Sequence, residues 1–227
     1  MSGAPGKGLP RSLNAAIALS ALVILSPVLL VSMLAVALSG RGPVFYRQPR
    51  AGLAGEEFVL WKLRTMRPGS DPVGVGEAVT AGDSRVTAVG RVLRRLSLDE
   101  LPNLFNVIVG DLAIVGPRPT LPAQIRLYTP RQLRRLEVPP GITGWAQIQG
   151  RAGIPWEQRI ELDLWYVDHR SRRLDLSICL RSIPVVLGLG RSRHQAEDLY
   201  AGSDPESPLR KAAEQERAQR RSGNEGG

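Results

Sequence analysis

Cysteine is almost missing from this sequence. The 227 residues include one, Cys179, so no intramolecular disulfide can form, which is compatible with a reducing compartment. Set in the apolar run LSICL, it reads as a small buried hydrophobe rather than a nucleophile. Histidine is nearly as scarce. His169 and His194 stand far apart, with no cysteine or acid at ligand spacing, and this excludes a zinc site of the usual kind. Acidic residues are outnumbered, 21 against 30 basic, for a net charge of +9. No internal repeat is visible. Charge of either sign is absent from Ser12 to Gly40.

The positive balance admits three partners: anionic lipid, nucleic acid or a phosphorylated substrate. Nearly all the cations are arginine, the side chain suited to bidentate phosphate contact. They are spread over loops and motifs with no nucleic-acid module, so no nucleic-acid partner is expected.

The uncharged stretch, LNAAIALSALVILSPVLLVSMLAVALS, exceeds the roughly 20 apolar residues that span a bilayer. It is also longer than the roughly 7–15-residue core of a signal peptide, and so reads as a retained membrane segment. Ser26-Pro27 stands at its middle. Pro27 cannot donate to the carbonyl of Val23, and its ring crowds that turn, so a kink is expected. Both flanks are basic: Lys7 and Arg11 before it, Arg41, Arg47 and Arg50 after it. The positive-inside tendency would hold both ends in the cytoplasm. The residues alone leave two arrangements open, a re-entrant helix in one leaflet and a single kinked transmembrane helix.

Past Gly40 the chain changes character. PVFYRQ and EFVLWKL read as short strands joined by the turn AGLAGE. Residues 67–83 are a Gly- and Pro-rich loop. RVTAVGRVLRRLS reads as a basic helix, AQIRLYTPRQLRRLEV as a basic amphipathic helix, and PPGITGWAQIQGR as a turn-rich loop. WEQRIELDLWYVDH places Trp156, Ile160, Leu164 and Val167 at helical spacing, a core-facing stripe. LDLSICLRSIPVVLGLG is a second apolar helix, too short and too charged to span a membrane.

The chemistry concentrates in RRLSLDELPNLFN, residues 94–106. Asp99 and Glu100 stand side by side between two arginines and a proline. A structural account exists: Ser97 and Glu100 have the spacing of a capping box. Pro102 would then interrupt a hydrogen bond at the fifth helical position. With Asp99 at the helix mouth, the proline falls in the first turn, where no donor is needed. The functional account uses the same geometry. A helix N-terminus together with Arg94 and Arg95 keeps a carboxylate ionised, and an ionised aspartate can attack phosphorus. Phosphoryl transfer needs charge neutralisation by arginines and Mg²⁺, whose preferred ligands are carboxylate and phosphate oxygens.

Several ordered blocks resemble the bacterial sugar transferase family, the monotopic phosphoglycosyl transferases that act on polyprenyl phosphate. They are SP (26–27), GRGPVFYRQPRAG (40–52), KLRTMR (62–67), SRVTAVGRVLRRLSLDELPNLFNVIVGD (84–111), VGPRP (115–119), PGITGWAQIQGR (140–151) and ELDLWYVDHRS (161–171). The resemblance implies transfer of a sugar-1-phosphate from a UDP-sugar to undecaprenyl phosphate, with release of UMP. It implies Asp99 as the nucleophile, forming a covalent aspartyl phosphosugar with Mg²⁺ beside it. Glu100 would support the metal or activate the polyprenyl phosphate. Lys62, Arg64, Arg94, Arg118 and Arg151 are the implied phosphate or nucleotide contacts, and Gly141 and Gly144 would shape a loop near the nucleotide. Ser26 and Pro27 fall on the break of the family's re-entrant helix. Two departures stand out: Asn14 replaces an aspartate frequent at the start of the membrane helix, and Ala113 replaces a serine.

The expected fold is α+β and mostly helical. A basic segment (1–11) leads into a re-entrant membrane helix (12–40). A compact cytoplasmic catalytic domain (41–195) with a small β element and interfacial helices follows, and then a polar, disordered tail (196–227). The expected place is the bacterial inner membrane, with the domain on the cytoplasmic face against inner-leaflet lipid, serving downstream glycosyltransferases in glycoconjugate assembly. The competing class is a non-catalytic, membrane-tethered basic binding or scaffold protein.

Overall fold

A computed structural model describes residues 7–70, 83–150 and 156–186. The uncharged stretch forms one long helix, α1 (Arg11–Leu38), about 42 Å long at 1.5 Å per residue. The helix continues through Ser26-Pro27 rather than stopping there. The Ser26 hydroxyl donates to the carbonyl of Val23 at 2.8 Å. That is the carbonyl Pro27 leaves without a helical partner.

Most of the apolar surface of α1 is turned outward, with Val23, Ile24, Leu30, Val31, Leu34 and Leu38 all exposed. Its inner stripe is Asn14, Ala18, Leu29, Ser32 and Val36. Ala18 packs with Leu60, Leu104, Val107 and Leu112, whereas Leu29 and Val36 pack with Leu63 and Leu93. Both halves of α1 therefore lie on the same domain.

Polar ties fix both ends. At the start, Leu9 N–H donates to Asp175 Oδ2 at 2.8 Å. Arg11 donates to the carbonyl of Val109 at 2.7 Å, and Asn14 Oδ1 accepts from Ile114 N–H at 2.8 Å. The amide at position 14 thus ties α1 to β3 without a charge.

β1 (Phe45–Ala51) and β2 (Glu57–Leu63) form an antiparallel hairpin, paired from Phe45 with Leu63 to Ala51 with Glu57. α2 (Ala88–Arg95) begins at Thr87, whose side chain accepts from Gly90 N–H. A 3-10 turn (Leu98–Glu100) leads to α3 (Asn103–Val109). β3 (Ala113–Val115) pairs in parallel with β4 (Gly141–Thr143). α6 (Trp145–Gly150), α7 (Trp156–His169) and α8 (Arg172–Val186) close the domain. Trp156, Ile160, Leu164 and Val167 are all buried, as their spacing predicts.

Three local expectations are corrected. AQIRLYTPRQLRRLEV is not one helix. It divides into α4 (Pro122–Ile125), α5 (Pro130–Leu133) and a 3-10 turn (Arg134–Leu136), because Thr129 caps a fresh start at Pro130. PPGITGWAQIQGR is not a loop but contains β4 and α6. A Cβ on Gly141 would stand 2.1 Å from Gly116 N, so the two chains approach at a distance that only glycine permits. The capping box at Ser97 does not form. Ser97 has φ 55° and makes no side-chain cap bond, and Pro102 is the N-cap of α3. The acid pair sits on the 3-10 turn ahead of that helix. The 196–227 tail and most of the 67–83 loop lie outside the described residues.

Candidate active site

The site is assembled from the end of β2, the 3-10 turn and the VGPRP loop after β3. Asp99 is buried, with 8% of its surface exposed. Its neighbour Glu100 meets two cations on a single oxygen, Oε1: Lys62 Nζ of β2 at 2.7 Å and Arg118 of the loop at 3.0 Å. Burial works against ionisation of Glu100, but Lys62 and Arg118 outweigh it and hold its carboxyl well below the usual carboxylate range. Glu100 is therefore a fixed negative charge that draws two cations from different elements to one point.

The other implied phosphate contacts are dispersed. Arg94 donates through Nε to Thr65 Oγ1 at 2.8 Å, two residues past the end of β2. Arg64 is buried, and its guanidinium donates to the carbonyls of Val36, Gly40, Arg41 and Pro43 at 2.9–3.3 Å. It ties the last turn of α1, through Val36, to the turn that follows it, through Gly40, Arg41 and Pro43. Arg151 lies outside the described residues. Ser26 and Pro27 lie mid-helix in α1, remote in sequence from every element of the site.

Among the described residues, no three His, Cys, Asp or Glu side chains group as a metal cage. The donor chemistry does suit Mg²⁺, which takes one or two carboxylates and completes its shell with substrate phosphates and water. Asn103, the first residue of α3 and four past Asp99, is buried, and its Oδ1 has no hydrogen-bond partner.

Behind the site lies a buried network that sequence reasoning missed. Arg135 is 4% exposed. It pairs with the equally buried Asp163 at 2.5 Å, donates to Tyr128 Oη at 2.7 Å and to the carbonyl of Arg118 at 3.0 Å, and lies over the rings of Tyr128 and Trp156. Burial pushes the Asp163 carboxyl up, while Arg135 and Arg159 pull it back. The sequence signal was weak. Arg134 and Arg135 are adjacent in LRRLEV, yet Arg134 forms a surface pair with Asp168. Both pair with acids of α7, and only burial of the Arg135–Asp163 pair distinguishes them.

The site thus gathers two cations on one carboxylate beside a buried aspartate, in a basic chain that also carries a membrane-length apolar helix. Residues 7–189 match the family described as bacterial sugar transferase, and the chain belongs to it. It is 45% identical over 198 residues to "Uncharacterized sugar transferase EpsL" of Bacillus subtilis (strain 168), covering 86% of this chain and 96% of that protein. It is 42% identical over 201 residues to "UDP-glucose:undecaprenyl-phosphate glucose-1-phosphate transferase" of Caulobacter vibrioides, covering 81% and 74%. It is 40% identical over 190 residues to "Exopolysaccharide production protein ExoY" of Sinorhizobium fredii, covering 78% and 84%. The chain is thus a membrane-associated enzyme of the sugar transferase type.

Proposed function

We propose that this protein moves a sugar-1-phosphate from a UDP-sugar to undecaprenyl phosphate and releases UMP, as the first membrane step in building a bacterial glycoconjugate. The observation that carries this reading is the buried Asp99 next to a Glu100 clamped by Lys62 and Arg118. Asp99 is the nucleophile. One of its carboxylate oxygens bonds to the phosphorus bearing the sugar, the bond from that phosphorus to the bridging oxygen breaks, and UMP departs with the electron pair. A phosphate oxygen of undecaprenyl phosphate then bonds to the same phosphorus. The Asp99–phosphorus bond breaks, restoring the carboxylate and leaving the diphosphate-linked sugar.

Lys62 and Arg118 face the accumulating phosphate charge. Glu100, held ionised far below neutrality, is a poor proton acceptor and serves to organise those cations. Mg²⁺, held by Asp99, would supply further neutralisation of the diphosphate.

The helix α1 inserts into one leaflet and returns, with the domain on the cytoplasmic face of the inner membrane. Three features support this. Both halves of α1 pack on the same domain. Both flanks are basic. The Ser26 bond to Val23 lets a proline sit mid-helix without leaving an open carbonyl in lipid. The product then passes to glycosyltransferases that extend it.

The test is UMP release from a panel of UDP-sugars with undecaprenyl phosphate and Mg²⁺. Wild type should turn over at least one sugar, Asp99→Asn should be inactive, and EDTA should stop the reaction. An active Asp99→Asn variant would sink the covalent route. Full activity in EDTA would remove the metal.

A further inference from the structure

The segment from Pro117 to Thr120 contains two prolines, which carry no N–H, so it builds no ladder of its own. Four carbonyls in a row nevertheless find donors, each from elsewhere in the chain. Pro117 O accepts from Gly141 N–H at 2.9 Å. Arg118 O accepts from Arg135 at 3.0 Å. Pro119 O accepts from Arg50 Nη1 at 3.0 Å. Thr120 O accepts from Ala51 N–H at 2.9 Å. The residue in the middle is Arg118, the cation that reaches Glu100.

Two of the four donors are arginine side chains, gripping consecutive carbonyls from two different elements. Arg50 stands on β1 and is itself steadied by Gln48, whose Oε1 accepts from it at 2.6 Å. Arg135 comes from the 3-10 turn that packs on α7, with Asp163 balancing its charge. Burying such a pair is costly compared with apolar packing of similar volume. An apolar residue at position 135 would fill the space but could not hold a carbonyl.

We propose that Arg50 and Arg135 are positioning residues for Arg118. By fixing the carbonyls of Arg118 and Pro119 they set the direction in which the Arg118 guanidinium leaves the loop, and so where it meets substrate phosphate. The inference rests on the transfer reaction proposed above only for the identity of that phosphate. The loop geometry stands independently.

Arg50 carries the test, because it is half-buried near the end of β1, whereas Arg135 is buried against α7. Arg135→Lys serves as a companion that keeps the charge but presents a single donor centre. In UMP release by the full-length protein, Arg50→Gln should lower kcat/KM by about 10- to 100-fold, the scale of a misplaced catalytic group. Introduced into Arg118→Ala, the same substitution should cost less than about twofold more, since the group it positions is already gone. Equal losses in both backgrounds would overturn the proposal, because Arg50 would then act on something other than Arg118.

Amide hydrogen exchange gives a second readout that needs no substrate. The Gly141 N–H is held by the Pro117 carbonyl, so its exchange should quicken in Arg50→Gln and Arg135→Lys while amides within α8 stay unchanged. Unchanged Gly141 exchange would also overturn the proposal. Absence of UMP release from wild type with every UDP-sugar would instead count against the proposed reaction, and the exchange result would still decide the positioning role.

Discussion

Lys62 and Glu100 form the pair on which most of the site's electrostatics turn. The folded carboxyl of Glu100 lies below its unfolded value, so pairing adds stability above the unfolded value and loses it as pH falls through the folded one. That loss begins near about pH 4.3, the ordinary glutamate value of the unfolded chain, and extends well below it because the folded value is depressed. The melting deficit of Lys62→Met relative to wild type should therefore be constant from pH 8 to about 5 and narrow below about 4. A deficit that stays flat to lower pH would mean that Lys62 stabilises the protein through something other than Glu100. The acid pair was legible because two adjacent carboxylates between arginines and a proline are unusual in so basic a chain. Its clamp was not. Lys62, Glu100 and Arg118 come from a strand, a turn and a loop, and no local pattern joins them.

At the scale of elements, Arg64 shows how a motif residue can serve the scaffold. It was expected among the phosphate contacts, yet its guanidinium is taken up by four carbonyls where α1 ends. Arg64→Met should cost about 1–3 kcal/mol, since four hydrogen bonds from a charged, buried guanidinium are lost, although water and Ser39 can still serve the carbonyls. The fraction that folds should retain its KM for UDP-sugar. A raised KM at unchanged melting temperature would restore the phosphate assignment. The elements that could be read from sequence were those with a period or a long run: α1, the hairpin, and the stripe of α7. β4 could not be, because three residues carry no period and its partner β3 lies 26 or more residues away. The division at Thr129-Pro130 was readable in principle, since a threonine followed by proline and then a glutamine three residues on is a helix start. The basic amphipathic pattern across it obscured the signal.

For the whole molecule, the arrangement of α1 decides the relation to the bilayer. With the sole cysteine replaced (Cys179→Ser), single cysteines placed at Lys7 and at Arg41 should both react with a membrane-impermeant thiol reagent from the cytoplasmic side alone. Reaction of position 7 from the opposite side would establish a spanning helix. The same arrangement also bears on how the protein is made. Residues 11–38 leave the ribosome before the rest of the domain, yet Asn14 is bound by Ile114, and Ala18 packs against Leu104, Val107 and Leu112. At about 5–20 residues per second, those partners follow some 5–20 seconds later. In that interval the part of the domain that covers the inner stripe of α1 does not yet exist. A helix that enters the bilayer in that interval does so before the domain folds, and its inner stripe is covered only when the later residues close over it.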